Sequence, residues 1–194
     1  MNNPMTRSSQ ILLIVLLTVL MLLTRSSYFD WASVLPSASL AIFFLVGFYL
    51  RSYLSFAVFA GLAYAIDYWV LIVSSEGCFT PAYGFIFGGY FLIWGSAKWV
   101  AQCYEITLLK DGIKLFAVAL VSISGAFLIS NGSFYAFSGN FSELSLLDYS
   151  ARVVHYYFTY LTDALIYLAL GALMHWLVDR WAQQLETINM EGGE

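Results

Sequence analysis

Two residues stand where they could do chemistry in an apolar setting, a cysteine at 78 and an aspartate at 67. Cys78 precedes Thr80-Pro81, which reads as an N-cap followed by proline at the first helical position, so the thiol lies just ahead of a helix N-terminus. The positive end of a helix dipole favours the thiolate. A thiolate there can ligate a soft or borderline metal, attack an electrophile or exchange with another thiol; the alternative is a small apolar residue filling a loop. Asp67 lies in Tyr64-Ala65-Ile66-Asp67-Tyr68-Trp69, inside an apolar run. An ionisable residue at that depth faces a cavity or a partner, which makes it a functional-site candidate; a structural hydrogen bond to a neighbouring Tyr or Ser is the competing role. Its level matches that of Cys78, so both can address one pocket.

Aromatic residues offer walls for such a pocket. Tyr83, Phe87, Tyr90 and Trp94 recur at spacings of four, three and four, which is one helical face, and Tyr156, Tyr160, Asp163 and Tyr167 form a second. Rings with polar tips suit a large, flat, partly polar ligand, while ordinary helix packing competes for the same pattern. The stretch Asn131–Ser150 reads as the longest irregular segment, a lid whose glycines give mobility and whose Phe134, Tyr135, Phe137 and Phe141 close over a ligand. Cys103 lies twenty-five residues beyond Cys78. A continuous helix between them separates the two by ~37 Å, against the ~7 Å limit for a disulfide, so no intramolecular bridge is expected. His155 and His175 are expected too far apart to share a metal.

The elements that must hold these residues follow from composition. Of 194 residues, 61% are hydrophobic and 10% charged, and the mean hydropathy is +0.78. A soluble domain of this size carries about a quarter charged residues, so lipid is the expected solvent and a soluble enzyme or disulfide scaffold is excluded. The net charge of −4 contains no basic block, which argues against a nucleic-acid partner. A ruler of ~20 apolar residues per membrane helix marks six spans, near 8–28, 32–50, 53–74, 81–101, 113–130 and 151–178. The runs lack the two-residue alternation of barrel strands. The expected fold is therefore an all-α membrane protein, a six-transmembrane-helix bundle forming a single integral domain over 1–194. With a cytoplasmic N-terminus, the inner side collects Arg7, Arg51, Lys98, Lys110, Lys114 and Arg180, and the outer side only Arg25 and Arg152. That bias places both termini inside. No Walker motif or Gly-rich phosphate loop is present, so the chain itself is not expected to hydrolyse ATP.

The run Cys78-Phe-Thr-Pro-Ala-Tyr83, continuing to Tyr90 and Leu92-Ile-Trp94, resembles the corresponding region of the BtuM-type solitary cobalamin transporters. Ile129-Ser-Asn-Gly-Ser-Phe-Tyr135 to Ser138-Gly139 is similar to a second segment of that family. The family shares the fold of the substrate-binding S-components of energy-coupling-factor transporters. The resemblance implies a multi-pass protein of the bacterial inner membrane that takes up cobalamin from the outer side, with Cys78 as the cobalt ligand. It also implies removal of the upper axial ligand, as in decyanation, with Asp67 and Tyr83 as supporting catalytic groups. Cobalamin enters as substrate, and no other cofactor is implied. Substrate contacts are expected from Tyr83, Phe87, Tyr90, Trp94, Phe134, Tyr135, Tyr156 and Tyr160. A dedicated energising module is not implied, and Ile11–Leu23 lacks the small-residue stripe through which energy-coupled S-components meet their partner.

Three other functions stay open on the residues alone. One is an S-component for a different vitamin that relies on a separate ATPase module. Another is a membrane thiol enzyme with Cys78 as nucleophile. The third is a scaffold or assembly subunit whose pocket is only helix packing.

Overall fold

The computed structural model describes residues 6–25, 36–74, 82–103, 111–137 and 145–191. Among them every regular element is a helix: α1 (Arg7–Arg25), α2 (Ser39–Leu45, continued by a π-helical turn over Val46–Leu50), α3 (Tyr53–Ser74), α4 (Tyr83–Cys103), α5 (Gly112–Phe137) and α6 (Leu146–Glu191). Four stretches, Arg7–Arg25, Tyr53–Ile72, Gly112–Phe137 and Tyr156–Val178, are long and apolar enough to cross a membrane. Their outward faces are apolar: Ile11, Leu12 and Val15 on α1, Leu54 and Ile72 on α3, Val121 and Leu128 on α5, Phe158 and Leu170 on α6 are all exposed. Such a continuous apolar surface is stable against hydrocarbon and not against water.

The two remaining helices form the centre. From Ser39 to Phe44 every residue of α2 is buried, which no amphipathic surface helix allows. At twelve residues, Ser39–Leu50 is ~18 Å long, short of the ~30 Å hydrocarbon layer. The first part of the span expected near 32–50 falls outside the described residues. α4 is long enough at 21 residues, but Gly84, Gly88, Gly89, Gly95, Ser96 and Lys98 dilute its apolar character. Those small residues let it pack closely. Gly89 lies so near α5 that an added Cβ would stand 3.2 Å from the Cβ of Ala126, and Gly47 of α2 lies directly against the Trp94 carbonyl of α4. Close backbone approach through small residues is how helices associate where hydrophobic exclusion from lipid gives no drive.

The π turn ends at Arg51, whose φ of 54° is left-handed. The Arg51 amide donates to the Val46 carbonyl at 3.2 Å and its Nε to the Phe48 carbonyl at 3.1 Å, so the cap satisfies carbonyls that a bare helix end would leave open. At the same end of the bundle, Lys98 does not simply reach for solvent. Its Nζ lies 3.8 Å from the Tyr53 ring centroid and 4.8 Å from that of Trp94, so two π faces hold the ammonium.

The expected lid is corrected. Asn131–Phe137 continues α5 and Leu146–Ser150 opens α6, so most of the stretch is helical; residues 138–144, Phe141 among them, lie outside the described residues. Asn131 Nδ2 donates to the Phe127 carbonyl at 3.1 Å and Ser133 Oγ to the Ser130 carbonyl at 2.9 Å, local bonds that offset the helix-weakening Gly132. Tyr149 fastens the two helices by donating to the Asn131 carbonyl at 2.9 Å. A legible start signal was present in Ser145-Leu-Leu-Asp148. The Asp148 amide donates to Ser145 Oγ at 3.2 Å, and Ser145 Oγ donates to Asp148 Oδ2 at 2.6 Å. Replacing Ser145 by Ala is expected to remove about 1 kcal/mol of helix-start stability. Amide exchange at 146–149 should accelerate, and unchanged exchange would dismiss the cap.

α6 runs for 46 residues, far beyond its apolar portion. The stretch apolar enough to cross a membrane ends at Val178, and beyond it Arg180 and Gln184 are exposed on the continuing helix. The Arg180 guanidinium lies 5.3 Å from the centre of the Trp176 ring, a pairing suited to the membrane boundary.

Candidate functional site

The C-terminal end of α1, the beginning of α2, the last third of α3 and the first half of α4 meet at one end of the bundle. Asp67 sits two turns before the end of α3, and its carboxylate points inward to the last residue of α1, Arg25. Arg25 Nε donates to Asp67 Oδ1 and Nη2 to Asp67 Oδ2, both at 2.6 Å, a bidentate fork. The side chains are 11% and 24% exposed, respectively. Arg25 Nη1 donates to Ser39 Oγ at 2.6 Å and to the Tyr90 hydroxyl at 2.8 Å, while the Tyr83 hydroxyl donates to Asp67 Oδ2. Four helices are therefore tied by one ion pair and three hydroxyls. This geometry uses what arginine offers and lysine does not, several donors in a fixed plane.

Arg25, expected as one of two cations on the outer side, is the partner of a buried carboxylate and is itself largely buried. The sequence did hold a pointer. A carboxylate inside a span needs a partner, and the expected topology puts only Arg25 and Arg152 among the cations of the outer side.

Beside this network lies a cavity of about 180 Å³ whose polar lining comes from Ser37, Ser39, Tyr90, Ser130, Tyr160 and Asp163. Ser39 and Tyr90 thus belong to both. Leu40 and Ile86 supply apolar wall, and Gly89 and Ala126 let α4 and α5 close its back. The Asp163 carboxylate makes no hydrogen bond or ion pair among the described residues.

Compared with known proteins, the chain matches no family model and no curated sequence.

The predicted site residues do not all come together. Asp67, Tyr83 and Tyr90 come together through Arg25, and Phe87 packs on their ring systems with centroids 5.8 Å from Tyr83 and 6.1 Å from Tyr90. Tyr160 reaches the cavity from α6, where its ring also meets Phe127 at 5.2 Å. Trp94, Tyr156 and Phe134 do not line the cavity. Trp94 is 1% exposed in the core, its ring 4.9 Å from Tyr53 and 5.3 Å from Phe56, because α4 turns its face toward α2 and α3 one turn beyond Tyr90. Tyr156 faces outward on α6, one turn before Tyr160, and Phe134 is exposed on the last turns of α5. Tyr135 pairs with Tyr149 at 4.6 Å, joining α5 to α6 instead of forming a mobile cover. Cys78 lies outside the described residues. Among those described, no group of three His, Cys, Asp or Glu side chains could hold a metal, and Cys103 is exposed at the end of α4.

Chemically, the network is a fixed charge pair whose free capacity lies in hydroxyl protons. Tyr83 holds Asp67 through its hydroxyl, and Cys78 stands five residues before Tyr83 in the sequence. A carboxylate–phenol pair of this kind can take up or release a proton for a group bound next to it.

Proposed function

We propose that the chain is a solitary cobalamin transporter of the S-component type, with six spans and both termini cytoplasmic, in the bacterial inner membrane. Cobalamin is captured from the outer side with the Cys78 thiolate on cobalt. The observation that carries this reading is the hydrogen bond from Tyr83 to Asp67. Those two residues and Cys78 are the positions that the family resemblance assigns to cobalt ligation and upper-ligand removal, and the first two meet at the end of the bundle from which the segment with Cys78 departs. On this reading Asp67 and Tyr83 manage the proton of the thiol or of the departing axial ligand, and Arg25 holds the carboxylate in place. Bulky Ile11, Leu12 and Val15 on the outer face of α1 support uptake without a docked energising module.

The test is the visible spectrum of purified protein after cobalamin exposure. Thiolate ligation should shift the corrin bands relative to free cobalamin, and Cys78→Ala should return them to the free positions. A protein that stays colourless would end the proposal.

One observation favours a second reading, an S-component for a smaller vitamin served by a separate ATPase module. The cavity of about 180 Å³ lies below the ~300–1,000 Å³ typical of whole-ligand sites. Under the first reading the corrin ring lies at the mouth near Asp67 and Tyr83, and the cavity receives only part of the ligand. Retention of a smaller vitamin and not of cobalamin would decide for the second.

A further inference from the structure

We infer that the cavity between α2, α4, α5 and α6 recognises a primary carboxamide, presented as a side arm of a larger ligand. The inference rests on the cobalamin reading, since a corrin is rimmed with such amides, and it adds which residues receive one.

Three polar groups of the cavity, those of Ser39, Tyr90 and Asp163, differ in hydrogen-bonding sense. Ser39 and Tyr90 are 3% and 6% exposed, and the oxygen of each accepts a hydrogen bond from Arg25 Nη1. Ser39 Oγ also lies 3.3 Å from the Ser37 hydroxyl, which donates to it. With their lone pairs turned to those donors, the protons of both hydroxyls remain to be given, and neither finds an acceptor among the described residues. A buried hydroxyl proton without an acceptor is costly, so a ligand acceptor at this wall is favoured. The neighbouring guanidinium polarises both O–H groups further in the same direction. From α6, Asp163 offers the opposite, a carboxylate with acceptor capacity and no donor among the described residues. Ser39 and Tyr90 therefore offer donors and Asp163 an acceptor, while the other lining hydroxyls, those of Ser37, Ser130 and Tyr160, can serve in either sense.

A simple ion meets only half of this. A cation would face the hydroxyl protons with Arg25 behind them, and a carboxylate would face Asp163. A primary carboxamide carries a carbonyl acceptor and an NH2 donor on one planar group, and it is neutral. The carbonyl would accept from Ser39 and Tyr90 while the NH2 donates to Asp163. The volume, too small for a whole vitamin, suits an arm of one.

The experiment compares binding of cobalamin with that of its monocarboxylate isomers, each with one peripheral amide hydrolysed, to the full-length wild-type protein and to Asp163→Asn. Wild type should bind at least one isomer ten-fold or more weakly than cobalamin, because the new carboxylate meets Asp163 and leaves the hydroxyl pair serving a misplaced charge. Asp163→Asn should bring that isomer to within about two-fold of cobalamin. Tyr90→Phe, which keeps the ring against Phe43 at 4.2 Å and removes one donor, should weaken cobalamin about ten-fold without changing the ranking of isomers. Equal binding of every isomer by wild type overturns the inference and leaves the transporter reading standing, with the cavity holding water only. Loss of discrimination in wild type cannot arise from misfolded variants, so the result does not depend on how Asp163→Asn folds. Failure of wild type to bind cobalamin at all overturns both.

Discussion

Arg25→Met is expected to destabilise the protein by about 3–5 kcal/mol, the range for removing one partner of a buried ion pair. The loss comes less from the missing attraction than from what stays behind. Asp67 would keep Tyr83 as its donor but lose both guanidinium bonds, and the Ser39 and Tyr90 oxygens would lose theirs. Asp67→Leu should be comparably harmful, because Arg25 would then be a buried charge with two neutral acceptors. The double variant Arg25→Met/Asp67→Leu is the informative one. It removes both charges together, so it should recover a large part of the stability lost by either single change. Thermal or denaturant unfolding in detergent measures all three. A double variant as unstable as the sum of the singles would mean that the pair acts through packing and not through charge.

Gly47→Ala carries the second large effect. A Cβ at this position would overlap the carbonyl oxygen of Trp94, a backbone atom of α4 that cannot turn aside as a side-chain terminus does. The helices must separate, and Trp94, Phe43 and Val46 all lie in the core that this would open. A penalty near 3 kcal/mol is expected, the upper part of the usual overpacking range. Gly61→Ala is its control. On α3 an added Cβ at Gly61 meets nothing within 4 Å, so the substitution should stabilise by up to ~1 kcal/mol through helix propensity alone. If both glycines respond alike, the contact between α2 and α4 is not what Gly47 protects.

How far the sequence could be read varies with the kind of signal. The span expected over 53–74 coincides with α3, a long apolar run for which helix is the solution in lipid, whereas the helix expected over 81–101 lies within two residues of α4 but is not among the four apolar enough to cross a membrane. Ends were harder. Composition around Asn131, Gly132 and Ser133 suggests a loop, yet α5 runs through it: Ser133 is buried and Tyr149 closes the turn from a neighbouring helix, contacts that local composition does not contain. In the candidate site, Asp67 and Tyr83 were legible as residues of interest. Arg25 was legible only as one of two cations expected on the outer side, because a cation at the end of an apolar run has the same local appearance whether it faces headgroups or a carboxylate forty-two positions away.

The aromatic stripes divide in the same manner. Spacing alone places Tyr83, Phe87, Tyr90 and Trp94 on one face of α4, and the face exists. Where it points depends on α2, a short helix buried on every side, so that Tyr90 borders a cavity and Trp94, one turn on, is sealed in the core. Periodicity is a property of one helix, whereas a cavity belongs to several.

By itself, then, the sequence determined the solvent and the secondary structure: its 61% hydrophobic residues, gathered into long runs, leave helices as the elements that satisfy their own backbone. Tertiary structure alone decided the pairing of Arg25 with Asp67, the place of Ser39 and Tyr90 at the cavity, and that Asp163 lines it without a hydrogen-bond partner among the described residues. The reason is physical. A helix in an apolar run closes its backbone hydrogen bonds within four residues along the chain, so its presence is legible although its ends depend on packing, but the state of a buried charge or hydroxyl is set by whichever groups the packing brings within hydrogen-bond reach, and those lie tens of residues apart.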